Sequence, residues 1–123
     1  MNTILVVEEE AQLQDLFRDI LEALGLQAEA AANGLQGLDK LRKGCFDGLL
    51  VDLEMPCMDG QQFRQEVETI DAELARRCIF VISDLAGEER RACLEGTGAS
   101  MLPKPFRLEE LEQRLSHALG VHR

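Results

Sequence analysis

The sequence has no block of basic residues: its 13 Lys and Arg are scattered among 23 Asp and Glu, for a formal net charge of -10. Phosphate backbones are bound through a basic footprint, so direct nucleic-acid recognition by this chain is not expected. Cys45, Cys57, Cys78 and Cys93 show no CxxC spacing, and no histidine sits beside them at a metal-ligand interval. Neither a zinc site nor a redox pair is signalled, and free reduced thiols are expected. Apolar runs of membrane-spanning length and a signal-peptide core are also missing, so a cytoplasmic chain that does not enter a membrane is expected. Linkers, internal repeats and low-complexity segments are absent. At 123 residues, 46% hydrophobic and 29% charged, the chain has the proportions of a globular protein rather than a disordered one. That length suits one domain with a real core, so residues 1–123 are expected to form a single domain.

Within that length, strand and helix patterns alternate. Ile4-Leu5-Val6-Val7 is continuously apolar, as in a strand buried on both faces. Leu13, Leu16, Phe17, Ile20, Leu21 and Leu24 then recur at spacings of three and four, predicting a helix that Gly25 ends. A weaker strand over residues 27–31 leads through Asn33-Gly34 into a helix with Leu35, Leu38 and Leu41 on one face, stopped by Gly44. Residues 48–52 predict the third strand, and Phe63, Val67 and Ile70 mark the helix after the following turn. Cys78-Ile79-Phe80-Val81-Ile82 predicts the fourth strand, and residues 88–94 a poorly amphipathic fourth helix. Met101-Leu102 gives a short fifth strand, and Leu108, Leu111, Leu115 and Leu119 the last helix. Such alternation, with strands apolar on both sides, implies a doubly wound α/β fold whose parallel sheet carries helices on both faces.

All strands of a parallel sheet point the same way, so the segments leaving their C-terminal ends collect along one edge. Glu8-Glu9-Glu10 comes directly after the first strand, Asp52 ends the third, Ser83-Asp84 comes after the fourth and Lys104 after the fifth. Burying an unpaired Asp costs several kcal/mol, so a strand ending on Asp52 holds that carboxylate where a cation can meet it. Crowded carboxylates repel, and a hard cation such as Mg²⁺ relieves the repulsion through oxygen ligands; Glu8, Glu9 and Asp52 are the candidate cage. A carboxylate beside Mg²⁺ and a lysine is also suited to attack on a phosphoryl group, with Asp52 as nucleophile and Lys104 as the phosphate clamp. The Lys104-Pro105 bond is a candidate cis bond that would fix the direction of the lysine.

The segments ILVVEEE, VDLEMPCMDG and LPKPF, in this order and spacing, resemble the receiver domain of bacterial two-component response regulators across essentially the whole chain. The resemblance implies a flavodoxin-like (βα)5 fold with strand order 2-1-3-4-5. It implies that Asp52 accepts a phosphoryl group from the phosphohistidine of a histidine kinase or histidine phosphotransfer protein. Mg²⁺ would be bound by Glu8, Glu9, the Asp52 carboxylate and the Glu54 backbone carbonyl, and Lys104 would contact the acyl phosphate. A hydroxyl after the fourth strand normally contacts the phosphoryl group; Ser83 fits that role, with Ile82 as the alternative occupant. The face made by the fourth helix, fifth strand and last helix would switch, passing the signal to partners or to a homodimer. Such a protein is a phosphoacceptor, not an enzyme: it promotes only its own phosphorylation and dephosphorylation. The chain would be a single-domain regulator or a piece of a longer protein such as a hybrid kinase.

Two positions depart from the family pattern. Glu9 stands where receivers usually have Asp, and its extra methylene displaces the carboxylate, which is expected to reduce metal affinity. Met101 replaces the aromatic that swings with the switch hydroxyl. These departures motivate a rival reading, a degenerate receiver that binds partners independently of phosphorylation. An enzyme of the haloacid-dehalogenase type, which also uses a strand-end Asp and Mg²⁺ for phosphoryl chemistry, is a second rival, but it wants an Asp two residues after the nucleophile, where this chain has Glu54.

Overall fold

Strand side chains alternate between two separate cores, one on each face of a parallel sheet. The computed structural model describes residues 2–53, 58, 60–82 and 100–120. Along them run β1 (Thr3–Val7), α1 (Ala11–Ala23), β2 (Gln27–Ala31), α2 (Gly34–Lys43), β3 (Gly48–Asp52), α3 (Gly60–Ile70), α4 (Ala72–Arg76), β4 (Cys78–Ile82), β5 (Ser100–Pro103) and α5 (Leu108–Leu119). The strands are all parallel and lie in the order β2-β1-β3-β4-β5, the doubly wound flavodoxin-like arrangement. Glu54, Ser83 and the fourth helix anticipated over residues 88–94 fall outside the described residues.

On one face, Ile4, Val6, Leu50, Ile79, Val81 and Leu102 pack against Phe17 and Leu21 of α1 and Leu111 and Leu115 of α5. On the other, Leu5, Val7, Leu49, Val51, Phe80 and Ile82 pack against Leu38 and Leu41 of α2 and Phe63 and Val67 of α3. A strand covered on both faces has no polar side to show, which is why β1, β3 and β4 read as unbroken apolar runs. β2 lies at the edge and is only partly covered, so its Ala residues alternate with exposed Gln27 and Glu29.

Helix ends obey their local chemistry. Gly25 adopts φ 83, and the bonds Leu26 N–H to Leu21 O (2.9 Å) and Gly25 N–H to Glu22 O (3.0 Å) close a Schellman motif that turns the chain from α1 into β2. Asn33 caps α2 by accepting the Gln36 N–H at 2.9 Å. Leu35 is 59% exposed, off the expected apolar face. Each helical residue advances about 100°, so a strict three-residue spacing drifts, and Leu35 ends up roughly 120° from Leu41. Helix α4 is an addition to the expected elements; Asp71 starts it by accepting the Leu74 N–H at 3.2 Å.

Candidate functional site

β1 and β3 are neighbours with Val7 opposite Val51, so the next residues along each strand, Glu8 and Asp52, come side by side at the same end of the sheet. Lys104 extends β5 by one more bond, donating its N–H to the Ile82 carbonyl at 2.8 Å, and so leaves from the same edge. The Lys104-Pro105 bond is cis. Phe106 then stacks on Phe17 of α1, with ring centroids 5.6 Å apart.

Among the described residues of this edge, Glu8 is the buried charged one, at 2% exposure. One carboxylate oxygen, Oε1, accepts the Glu10 N–H at 3.2 Å, whereas Oε2 is buried with no hydrogen-bond donor. Burial pushes the Glu8 carboxyl up from 4.5 to about 7, since a charged group out of water is disfavoured. The Glu10 N–H opposes that rise, the negative charge of Asp52 and a side-chain hydrogen bond to it that favours the protonated form add to it, and the Lys104 ammonium partly offsets it. Glu8 therefore interacts electrostatically with both Asp52 and Lys104 at one edge of the sheet. A buried acceptor without a donor, beside a second carboxylate, can be satisfied by a proton or by a cation. On that ground the residues present fit a hard divalent ion.

The other expected site residues divide. Glu9 is exposed, and among the described residues no three His, Cys, Asp or Glu side chains converge as a metal cluster. Ile82 is 2% exposed and packs in the core with Phe80 and Val51, away from solvent. Met101 is half-buried against the same core. Gly60 has a role beyond a turn: a Cβ there would come within 2.9 Å of the Leu53 Cα and 3.0 Å of the Asp52 carbonyl oxygen. Glycine thus lets α3 begin directly against the end of β3, where its N–H donates to Leu53 O at 3.0 Å.

Gln14 touches the site although nothing in its sequence pattern marks it. Its Nε2 donates to the Glu8 backbone carbonyl at 2.6 Å. A glutamine on a helix reads as solvent-facing, and no spacing rule singles out one that folds back on the preceding strand.

Residues 4–116 match the sequence profile of the family described as response regulator receiver domain. The sensor histidine kinase RcsC of Escherichia coli K12 is 34% identical over 113 residues, covering 92% of this chain and 12% of that protein. The response regulator MprA of Mycobacterium avium is 30% identical over 112 residues, covering 91% of this chain and 48% of MprA. The chain thus spans only a part of the relatives it matches. Among solved structures, a response regulator receiver domain protein from Clostridium thermocellum superimposes with TM-score 0.87 over 98% of this chain and 95% of its own, at 24% identity, a likeness of fold. The receiver domain of a sensor histidine kinase from Pseudomonas aeruginosa, described with a magnesium ion coordinated in its active site cleft, gives TM-score 0.83 at 26% identity, covering 97% of this chain and 98% of its own.

Proposed function

Because the chain belongs to the response regulator receiver family, we propose that residues 1–123 form one cytoplasmic receiver domain whose Asp52 accepts a phosphoryl group from the phosphohistidine of a histidine kinase or histidine phosphotransfer protein. The observation that carries this reading is the meeting of Glu8, Asp52 and Lys104 at one sheet edge, with the Glu8 Oε2 atom buried and lacking a donor.

An Asp52 carboxylate oxygen attacks phosphorus; the P–O bond forms as the P–N bond to the donor imidazole breaks, and the electron pair returns to the ring. Glu8, Glu9, the Asp52 carboxylate and the Glu54 backbone carbonyl would hold Mg²⁺, which, when bound, offsets charge on the transferring oxygens. Lys104 supplies a second cation from β5 toward the same oxygens. The burial of Ile82 in the core supports Ser83 in the role of the switch hydroxyl. The segment over residues 88–94, together with β5 and α5, then carries the signal to a partner or a second copy. The domain works as a regulatory phosphoacceptor, and its net charge of -10 argues against a direct nucleic-acid contact.

Incubation with acetyl phosphate and Mg²⁺, followed by intact mass measurement, tests the reading. One phosphoryl adduct is expected on the wild type and none on Asp52→Ala; an unmodified wild type would refute it. The exposure of Glu9 favours a second reading, a receiver that binds its partner regardless of phosphorylation. Its signature is partner affinity unchanged by Asp52→Ala.

A further inference from the structure

We infer that Gln14 is a positioning residue for the acidic site: its side-chain amide holds the Glu8-Glu9 peptide in the orientation from which Glu9 joins Glu8 and Asp52 around a divalent cation. This rests on the phosphoacceptor reading above and concerns how an unusually long acidic side chain is aimed.

Gln14 is half-buried in α1. Its Nε2 donates to the Glu8 carbonyl oxygen at 2.6 Å and lies 3.5 Å from the Ala31 carbonyl oxygen. Both neighbours are acceptors only, so the nitrogen end of the amide must face them. The same Ala31 oxygen accepts the Glu8 N–H at 2.9 Å, which carries the β1–β2 ladder one residue past the Val7–Ala31 pair. In a parallel ladder the next bond would run from the Asn33 N–H to the Glu8 carbonyl. The chain instead turns at Asn33 to cap α2. Gln14 supplies the donor that the departing strand no longer provides.

The consequence lies on the far side of one peptide bond. A peptide unit is planar, so fixing the Glu8 carbonyl also fixes the Glu9 N–H and the direction in which the Glu9 backbone leaves. The Glu8 carboxylate is tied into the same turn through the Glu10 N–H at 3.2 Å. Glu9 has one more rotatable bond than the aspartate usual at its position, so it loses more freedom on engaging a cation. Holding its backbone beforehand reduces that loss. Gln14 therefore acts through Glu9 and touches neither the phosphoryl group nor the ion.

A double-mutant cycle on the full chain tests the coupling, with Mg²⁺ affinity measured by calorimetry and the backbone amide resonances of Glu9 and Glu10 tracked by nuclear magnetic resonance without metal. Gln14→Met, which keeps the length and loses the donor, is expected to weaken Mg²⁺ binding roughly fivefold, the worth of one ordinary hydrogen bond. It should also shift the Glu9 amide resonance in the metal-free protein. In a Glu9→Gln background the same substitution should change Mg²⁺ affinity by less than about twofold. Gln14→Asn, whose amide falls one methylene short, provides a second variant if Gln14→Met does not fold. Equal losses in both backgrounds, or no loss in the wild-type background, would overturn the role of Gln14 while leaving the phosphoacceptor reading standing. A wild type that binds no Mg²⁺ and takes no phosphoryl group would overturn both.

Discussion

Raising the pH through the Glu8 titration is expected to weaken the metal-free fold, and Glu8→Gln is expected to remove that weakness. In the unfolded chain the carboxyl ionises at its ordinary 4.5; in the folded chain it keeps its proton up to about 7. Between those values the native state binds one more proton than the unfolded state, so the unfolding free energy falls as pH rises. The contribution is fully present below 4.5 and lost once pH passes about 7. A window of about 2.5 pH units at about 1.4 kcal/mol per unit caps the loss near 3.5 kcal/mol, and roughly 2 is expected where solvent screens the carboxyl. Against a typical stability of about 5–15 kcal/mol this is easily measured.

Urea unfolding monitored by circular dichroism, in chelator at several pH values from about 4 to about 8, gives the profile. Other carboxylates titrate across the same range, so the informative quantity is the difference between wild type and Glu8→Gln. Glutamine keeps the shape and cannot ionise. The two proteins should be within about 1 kcal/mol of each other near pH 4, and the variant should be more stable by about 2–3 kcal/mol near pH 8. Mg²⁺ should raise the stability of the wild type at the higher pH and do much less for the variant. A variant no more stable than the wild type near pH 8 would refute the buried, donor-less carboxylate on which the site rests.

Two other substitutions probe the same edge. Gly60→Ala drives a methyl against the Leu53 Cα and the Asp52 carbonyl, so a loss of about 1–3 kcal/mol in urea unfolding is expected, together with slower phosphorylation because the end of β3 must move. Lys104→Ala removes the cation that holds the Glu8 carboxyl down. Its pH-stability midpoint should shift upward and its phosphorylation by acetyl phosphate should slow by at least about tenfold; an unchanged midpoint would place the ammonium away from Glu8.

How far the sequence discloses these features depends on how local their causes are. β1, β3 and β4 are legible because burial on two faces leaves no polar position, and Gly25 is legible as a stop because its φ of 83 is one that glycine takes without strain. The meeting of Glu8, Asp52 and Lys104 is a consequence of parallel strands, so strand order and direction are enough to anticipate it. Which of Glu8, Glu9 and Glu10 is buried is another matter, because three identical side chains differ only in where the β1 ladder places them. Glu8 continues that ladder through its N–H to Ala31; Glu9 and Glu10 are exposed. Leu35 leaves its expected face because three-residue spacing drifts around a helix, and α4 is signalled only by Asp71, an N-cap residue type just before a helical turn. Gln14 carries no such mark, since its contact joins α1 back to the end of β1.

A buried carboxylate that weakens the metal-free fold as it ionises suits an edge that takes up a cation. On the proposed reading, proton and divalent ion would compete for the Glu8 carboxylate, whose Oε2 is buried without a hydrogen-bond partner. Below about 7 the proton holds it, and above that value the unrelieved charge favours whatever ion arrives. Mg²⁺ binding should therefore release close to one proton per chain at about pH 6, roughly half of one near pH 7 and little at higher pH, and its affinity should fall as the solution is acidified. Calorimetry in buffers of different ionisation enthalpy measures that proton directly. A release of zero at about pH 6 would mean that Glu8 is already ionised in the empty protein, and the stability penalty and the ion's gain at this edge would both have to be assigned elsewhere.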